Sequence, residues 1–196
     1  MAVAAGRTRD PDRKEKILRA AADLVARNGF HSVSMSDIGS EAGITGSGIY
    51  RHFDGKSSIL VALFDLAMDD LRRQEREILD HATDLGQALS ELIDGQVEFA
   101  VGSRQLAQVY YNEIRNLPDE DQVRLRRKQR LYLEEWVHIV RELHPDLDDA
   151  EARAIVHAAI GAIQSTLFHN IGLPADRLRA VLTRAARSVL SLTSRA

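Results

Sequence analysis

The chain contains no cysteine, which excludes disulfide scaffolds, thiolate zinc sites, iron–sulfur clusters and cysteine nucleophiles. Aromatic residues make up only 5% of the 196 residues, and there are four prolines, a composition that suits a helical protein better than a β-sandwich. No apolar run approaches the length of about 18 residues that indicates a transmembrane helix. The first residues lack the apolar stretch of a signal peptide, so we expect a cytoplasmic protein with no membrane partner.

The composition is otherwise that of an ordinary globular chain. Hydrophobic residues account for 44% and charged residues for 28%, and the length allows one domain or two small ones. The net charge of −3 does not by itself indicate a nucleic-acid partner. Residues 1–56 carry nine basic and seven acidic side chains, a balance of +2, whereas residues 57–196 carry 17 and 22, a balance of −5. This asymmetry suits a small DNA-binding domain followed by an acidic one.

Helical periodicity dominates the sequence, and no segment shows the alternation of a strand. In the first helix, for example, apolar residues recur at three- and four-residue spacing from Ile17 to Val25 before Asn28-Gly29 ends it. The pattern predicts an all-α fold of about nine helices. Their approximate ranges are 12–28, 34–43, 47–52, 56–81, 84–102, 103–116, 119–143, 149–170 and 174–193.

One stretch, residues 36–53, shows a pattern with a function. Ile38 and Ala42 lie four residues apart and give a short helix its buried face. Gly43 makes a turn, and Ile44 and Ile49 are the buried residues beyond it. Two short helices joined by a three- or four-residue turn that contains glycine form a helix-turn-helix.

The second helix of this motif presents hydroxyls, a phenol ring and a guanidinium on its outward face, groups that contact phosphates and base edges in DNA complexes. Lys56, at the start of the next helix, adds a charge and backbone N–H groups for a phosphate. Two glycines in so short a helix cost about 1 kcal/mol each relative to alanine, which suggests a close approach of the backbone to something. The alternative is a plain helical hairpin with a solvated polar face. The outward residues are Thr45, Gly46, Ser47, Tyr50 and Arg51.

Residues 13–64 resemble the DNA-binding domain of the tetracycline-repressor (TetR) family of bacterial regulators. The resemblance covers about a quarter of the chain in one register. The motifs that carry it are Asn28-Gly29-Phe30, Ser34-Met35-Ser36-Asp37-Ile38, Ala42-Gly43-Ile44-Thr45, Ile49-Tyr50-Arg51-His52-Phe53 and Lys56.

The resemblance implies which residues face DNA. Tyr50 and Lys56 would contact mostly phosphates, while Thr45, Ser47 and Arg51 would read sequence. Two residues depart from the family pattern. Ser47 stands where a small apolar residue is frequent, so the base preference at this position stays open. Gly39 stands where alanine is usual. The complete predicted DNA-binding set is Ser36, Thr45, Gly46, Ser47, Tyr50, Arg51, His52 and Lys56.

The domain boundaries follow from the motif. We expect a flexible arm over residues 1–10, the helix-turn-helix domain over 11–55 and a helical ligand-binding and dimerisation domain over 56–196. Arg7, Arg9 and Arg13 are candidates for contacts of the arm in a minor groove, and a solvated tail is the alternative.

The last two helices are expected to form a dimer interface, which is what the resemblance implies. An alanine-rich stretch in residues 154–163 allows close approach of a partner helix, and an apolar stripe repeats along the last helix, although both stripes suit a core equally well. A two-fold dimer would place its recognition helices about 34–36 Å apart on a pseudo-palindromic operator. The predicted interface residues are Ala158, Ala162, Ser165, Phe168, Leu178, Val181, Leu182, Ala185 and Val189.

The resemblance also implies an effector cavity among the preceding helices. Aromatic side chains with a few polar anchors are candidates for its lining, though such a stripe is more often core. The segment Glu113–Pro118 looks like one in relatives that respond to fatty acyl or steroid-derived CoA esters; pairing of Arg115 with Glu113 or Asp119 is an alternative to a ligand contact. The candidate lining residues are Phe64, Phe99, Tyr110, Tyr111, Asn112, Arg115, Trp136 and His138.

An enzyme is the remaining alternative. Glu135 and His138 have the Glu-x-x-His spacing of di-iron helical bundles, but no second copy exists, and no phosphate-binding glycine loop or nucleophile elbow occurs. We therefore predict a non-enzymatic protein without metal or cofactor. The favoured function is a homodimeric transcriptional repressor that binds double-stranded DNA and is released by a small-molecule effector. An effector-independent DNA-binding protein is the runner-up, and whether the effector induces or co-represses stays open.

Overall fold

The computed structural model describes residues 12–191, apart from the side chains of Asp12, Gly46 and Ser47. The predicted arm, with Arg7 and Arg9, lies outside the described residues. Residues 12–191 are all-α, as predicted, with nine α-helices, one 3₁₀ turn at Ile114–Asn116 and no strand. No helix in this range is long and apolar enough to cross a membrane. The helices are α1 (Asp12–Asn28), α2 (Met35–Glu41), α3 (Gly46–Ile49), α4 (Lys56–His81), α5 (Leu85–Gly102), α6 (Arg104–Glu113), α7 (Asp119–Leu143), α8 (Asp149–Gln164) and α9 (Ala175–Ser191).

Short polar side chains fix where several helices begin. Ser34 caps α2: its hydroxyl accepts a hydrogen bond from the N–H of Asp37 at 3.1 Å, and the Asp37 carboxylate accepts from the N–H of Ser34 at 2.8 Å. Asp84 caps α5 through the N–H of Gln87 at 2.8 Å. The starts of α2 and α5 are therefore set by residues close in the sequence.

The end of α8 differs from its predicted position, because the helix stops at Gln164 rather than near residue 170. The guanidinium of Arg104 donates to the carbonyl oxygens of Thr166, Leu167 and His169 at 2.7, 2.9 and 3.0 Å. Arg104 thus satisfies carbonyls that a further turn of α-helix would otherwise pair, and the Thr166 carbonyl also accepts the N–H of His169 at 3.3 Å.

The chain divides into two compact units, residues 1–63 and 64–196, and the division falls inside α4 rather than before it, after residue 55. The N-terminal unit includes the first two turns of α4, where Ile59, Leu60 and Leu63 are buried. The other members of its core come from α1 to α3 and the loops between them. They include Ile17, Ala21, Val25, Phe30, Val33, Ile38, Ile49 and Phe53.

In the C-terminal unit, α9 packs against α5 and α8, while α7 packs against α5 and α8. The largest fully buried side chains of this unit are Phe64, Leu92, Ile93, Leu125, Trp136, Ile139 and Ile163. Ion pairs at the edge of this core, such as the Arg179 guanidinium with the Glu98 carboxylate at 2.6 Å, align α9 with α5.

Candidate DNA-binding surface and effector cavity

The helix-turn-helix is closed by backbone hydrogen bonds at its turn. The N–H of Ile44 donates to the carbonyl of Gly39 at 2.8 Å, and Gly43 has a φ of +66°, a conformation that favours glycine. Gly48 has a different role: a Cβ at this position would lie 2.8 Å from Cγ2 of Ile44. The close approach that this glycine permits is therefore to the turn of its own motif.

The predicted DNA-facing residues mostly lie on the surface of the N-terminal unit. Ser36, Thr45 and Arg51 are exposed, and the ring of Tyr50 is 59% exposed, which is unusual for so large a side chain. His52 is half-buried. The side chains of Gly46 and Ser47 lie outside the described residues, so the structure gives no position for this part of the predicted set.

Lys56 has an intramolecular contact that the sequence did not predict. Its ammonium donates to the carbonyl oxygen of Phe30 at 2.8 Å and lies 4.6 Å from the centroid of the Phe30 ring. This contact ties the start of α4 to the loop after α1. An ammonium has three N–H donors, so two remain for a phosphate oxygen.

A small cavity lies in the C-terminal unit between α4, α5, α6, α7 and α8. It leaves about 20 Å³ for the centre of a water molecule, which is room for about one water. Three predicted residues line it, Phe99, Tyr110 and Tyr111. The remaining lining is Ala67, Met68, Leu71, Gln96, Gln129, Tyr132, Leu133, Ile160 and Gln164.

The polar groups of this cavity are uncharged. The hydroxyl of Tyr132 donates to the Gln96 side-chain carbonyl at 3.1 Å, and the Gln164 amide donates to the hydroxyl of Tyr111. The hydroxyl of Tyr110 is buried and, within residues 12–191, has no hydrogen-bond partner. Burial raises the pKa of Tyr110 to about 12, so this hydroxyl is neutral at physiological pH.

Five predicted cavity residues lie elsewhere, which corrects the prediction. Phe64 and Trp136 are fully buried behind the wall, where Phe64 meets the ring of Tyr110 edge-on at 5.0 Å. Asn112, Arg115 and His138 are exposed and do not line the cavity. Successive residues of a helix point about 100° apart, so the helix that turns Tyr111 inward turns Asn112 outward.

Glu75 was missed by the sequence reasoning. It lies one helical turn after Leu71 on α4, is only 2% exposed, and its Oε1 atom has no hydrogen-bond partner in the described part of the chain. Burial raises its pKa to about 8, the charge of Glu135 adds to the shift, and Arg72 and Arg76 oppose it. The only available signal was an acidic residue in phase with the buried residues of α4.

The predicted dimer residues divide into exposed and buried sets. Ala158, Ser165, Phe168 and Val181 are exposed, and Phe168 is 52% exposed although it is large and apolar. Ala162, Ala185 and Val189 are half-buried. Leu178 and Leu182 are corrections: only 8% and 3% exposed, they face the core of their own chain. Ile171, which is 48% exposed, was missed.

The fold and its surface define a class of protein, a helix-turn-helix regulator with an attached helical domain. Residues 17–63 match the family model described as bacterial regulatory proteins, tetR family. Residues 82–167 match the model described as tetracyclin repressor-like, C-terminal domain.

Known proteins agree with these matches. The transcriptional repressor KstR2 of Mycolicibacterium smegmatis is 30% identical over 146 residues, which cover 69% of this chain and 70% of that protein. The fatty acid metabolism regulator protein of Bacillus subtilis is 28% identical over 166 residues, 79% of this chain and 83% of that protein. A further match, to KstR2 of Rhodococcus jostii, spans 52% of that protein.

Solved structures share the fold. A TetR-family regulator from Bordetella parapertussis superposes with a TM-score of 0.84 at 21% identity, over 92% of this chain and 95% of that one. FadR from Bacillus subtilis, solved in complex with stearoyl-CoA, has a TM-score of 0.71 at 24% identity, and the match covers 91% of this chain and 96% of that one. The chain belongs to the TetR family of transcriptional regulators, which bind DNA and are not enzymes. The predicted family, fold class and non-enzymatic nature are confirmed.

Proposed function

We propose that this regulator is a repressor that binds a palindromic operator as a homodimer and releases it when an apolar, acyl-CoA-type effector enters the cavity of the C-terminal unit. The observation that carries the proposal is the cavity itself. Its wall consists of aromatic and aliphatic side chains and three glutamines, and the buried Tyr110 hydroxyl has no partner among the described residues. A buried hydroxyl without a partner costs free energy, which a ligand carbonyl or hydroxyl would recover.

The proposed contacts to DNA follow the exposed face of the helix-turn-helix. Thr45 and Arg51 read base edges in the major groove, and Tyr50 and Lys56 contact phosphates. Ser36 contacts the backbone from α2, and His52 adds a further donor. These contacts fix the position of the unit on one half-site, and a two-fold dimer would occupy two half-sites about 34–36 Å apart.

The proposed dimer uses the exposed apolar side chains between α8 and α9 and on α9. Phe168, Ile171 and Val181 are 52, 48 and 40% exposed, and the exposed Ala158 of α8 allows close approach of a partner helix. Apolar side chains of this size are costly to hydrate when they form a contiguous patch. A second copy of the chain would cover them.

The proposed response to the effector follows from the small size of the cavity. With room for about one water, the cavity must widen to admit an acyl chain. Ala67, Met68 and Leu71 of α4 form part of its wall, and α4 begins at Lys56, directly after the helix-turn-helix. Displacement of α4 would therefore change the population of dimers that fit the operator.

The proposed chemistry of the effector draws support from relatives. One relative is a fatty acid metabolism regulator, and FadR of Bacillus subtilis was solved with stearoyl-CoA. The lining of the cavity is in keeping with an acyl chain, because no residue in it carries a charge. An effector-independent protein would gain nothing from an unsatisfied hydroxyl at such a position.

Selection of bound DNA from a random pool by the purified protein tests the proposal. We expect enrichment of an inverted repeat, from which acyl-CoA esters release the protein. Absence of enrichment, also after unfolding and refolding to remove a co-purified ligand, would contradict the DNA-binding function of this chain.

Arg51→Ala sharpens the test because Arg51 is exposed and, within the described residues, forms no ion pair. We expect operator affinity to fall about tenfold or more, while the mass of the dimer in light scattering stays unchanged. Arg19→Ala is the matched control: Arg19 is an exposed arginine of α1 that pairs with Glu15 at 2.8 Å. Equal affinity of Arg51→Ala and the control would remove Arg51 from the interface.

A further inference from the structure

A groove with basic side chains lies between α7 and α8, on the outside of the C-terminal unit. Its volume is about 390 Å³, far larger than that of the cavity. Three arginines contribute to its lining, Arg126 and Arg130 from α7 and Arg153 from α8, and His157 lies beside them. We call this site the arginine groove.

The charges of the arginine groove are only partly neutralised. Arg153 is held by Glu134 through two hydrogen bonds of 2.6 and 2.9 Å. Arg126 donates to the side-chain carbonyl of Gln122 at 3.3 Å, and Arg130 interacts electrostatically with Glu134, the carboxylate that also pairs with Arg153. Three guanidiniums therefore share the groove, and among the described residues 12–191 Glu134 is its one acidic lining residue. The groove therefore attracts anions.

The arginine groove and the cavity are neighbours that share a wall. Four side chains line both: Gln129, Leu133, Ile160 and Gln164. We call these four residues the shared wall. The Gln164 amide now donates to the hydroxyl of Tyr111, and rotation of this flexible side chain would open a path from the groove into the cavity. The positive charge of Arg126 also acts on the Tyr110 hydroxyl and lowers the pKa of that group against the larger effect of burial.

A second pocket adjoins the cavity from the side of α4, α5 and α6, and within residues 12–191 its lining has acidic but no basic residues. It shares Ala67, Leu71 and Phe99 with the cavity, and its charged lining residues are Asp70 and Glu98. Asp70 pairs with Arg73 at 2.9 Å and Glu98 with Arg179 at 2.6 Å, and no basic residue in the described part of the chain lines this pocket. An anionic group therefore finds partners in the arginine groove and none here. The two openings therefore distinguish the ends of an amphiphilic ligand.

We propose that the arginine groove is the binding site for the phosphate-bearing head of the effector, with Arg126 and Arg130 as its principal contacts, and that the apolar part enters the cavity through the shared wall. This inference rests on the proposed function. It adds which residues recognise the head, which opening the ligand uses and how it is oriented. Arg153 joins these contacts when an anion displaces Glu134 from its guanidinium. The ligand class is an acyl ester of a phosphorylated carrier, and a free fatty acid shares only its apolar part.

Direct binding to the full-length protein tests the inference without knowledge of the operator. The probes are palmitoyl-CoA, octanoyl-CoA, free CoA and palmitate, and the readouts are titration calorimetry and the fluorescence of Trp136. This is the sole tryptophan, and its ring meets that of Tyr132 in the cavity wall edge-on at 6.0 Å. We expect palmitoyl-CoA to bind more tightly than palmitate or CoA, and its affinity to fall more steeply with salt.

The variant Arg126→Gln/Arg130→Gln removes two of the three guanidiniums from the arginine groove, and both positions are exposed, so the fold tolerates the change. We expect palmitoyl-CoA affinity to fall about tenfold for each arginine, because a hydrogen bond to a charged group contributes about 1.5–3 kcal/mol. Palmitate affinity should fall less, because palmitate carries one carboxylate where palmitoyl-CoA carries several phosphate charges. Arg127→Gln is the matched control, since Arg127 is an exposed neighbour on α7 that does not line the groove.

The outcomes separate the inference from the proposed function. Equal binding of palmitoyl-CoA by the double variant and the wild type, or equal binding of palmitate and palmitoyl-CoA by the wild type, would overturn the inference. A protein that selects an inverted repeat but binds no acyl-CoA refutes the inference and leaves the regulator intact. A protein that binds palmitoyl-CoA through Arg126 and Arg130 but selects no DNA supports the inference and refutes the proposed function.

Discussion

The two compact units differ in where their polar side chains lie. In the N-terminal unit the polar groups of the helix-turn-helix lie on the surface, and its described core is apolar. In the C-terminal unit, Glu75 and Gln96 are buried, and Arg72, Glu75 and Tyr110 each have a buried atom without a partner in the described part of the chain. Each such atom costs about 1–3 kcal/mol or more. The C-terminal unit thus retains a cost that the N-terminal unit avoids, and of these three residues Tyr110 lines the cavity.

The largest expected effect concerns Glu75 and the dependence of stability on pH. Its pKa is about 8 in the folded chain and about 4.5 when unfolded, so between these values the native state holds a proton that the unfolded state has lost. The contribution of this group is fully present below pH 4.5 and is lost as the pH rises towards 8. At about 1.4 kcal/mol per pKa unit, the loss amounts to at most about 5 kcal/mol.

Glu75→Gln should abolish this loss, so the variant becomes more stable than the wild type at pH 8 and above. Urea unfolding at pH 5 and pH 8.5 measures the difference. Glu77→Gln, a change at an exposed position of the same helix, is the control and should keep the pH dependence of the wild type. A wild-type protein whose stability is flat across this range would show that Glu75 is ionised when folded.

A pair of tyrosines provides the next test. Tyr110→Phe removes a hydroxyl that has no partner among residues 12–191, whereas Tyr132→Phe removes the donor that satisfies Gln96. We expect Tyr110→Phe to raise the free energy of unfolding by about 1 kcal/mol and Tyr132→Phe to lower it by about 1–2 kcal/mol. Thermal unfolding compares them, and equal effects of the two changes would mean that the Tyr110 hydroxyl is solvated.

Tyr110→Phe also separates the stability of the fold from its response to the effector. Tyr110→Phe should also weaken effector binding, since the proposed ligand contact is lost while the fold gains stability. A variant that is both more stable and less responsive is the signature of a polar group retained for a ligand.

The N-terminal unit could be predicted in more detail than the cavity, for a physical reason. The cap at Ser34, the turn at Gly43 and the start of α4 depend on neighbours within a few residues, so their spacing is visible in the sequence. The cavity collects side chains from five helices between residues 67 and 164. Whether Tyr111 or Asn112 faces it depends on the rotation of one helix against four others, which no local pattern records.

The contacts of Lys56 and Gly48 illustrate the same limit inside the well-predicted unit. The sequence predicts a phosphate contact for Lys56 and a close approach for the glycines of α3, but the partners observed, Phe30 and Ile44, are set by packing. Buried polar residues such as Gln96 were overlooked because a single glutamine in an apolar helix face is no different in sequence from one on the surface.

Gly48→Ala probes the packing of the helix-turn-helix. Alanine is favoured over glycine in a helix by about 1 kcal/mol, yet its Cβ would lie 2.8 Å from Cγ2 of the β-branched Ile44, which cannot move without a change of rotamer. We expect a net loss of about 1 kcal/mol and weaker operator binding. Gly55→Ala is the control, because nothing lies within 4 Å of its added Cβ. A stabilised Gly48→Ala variant would show that the turn relaxes freely.

The smallest effect is expected for the ion pairs between α4 and α7. The Asp65 carboxylate accepts from both Nη atoms of Arg124 at 2.6 and 2.9 Å and from Lys128 at 2.6 Å, and these bonds hold its pKa below the usual range against burial. The resulting stability is present above the ordinary pKa of aspartate and is lost as the pH falls through the lower, folded value. Asp65→Asn should therefore cost less than about 1 kcal/mol at pH 7 and nothing in strong acid.

Asp65→Asn should nevertheless affect the response to the effector. If the cavity widens by separating α4 from α7, weakening the tie between them favours the widened state and raises effector affinity a few-fold. Titration of the variant with palmitoyl-CoA measures this gain. Asp80→Asn is the control. Asp80 is exposed, lies farther along α4 and has no ion pair among the described residues. Lower effector affinity in Asp65→Asn would mean that the ion pairs hold the binding-competent arrangement, and that the cavity widens elsewhere along its wall.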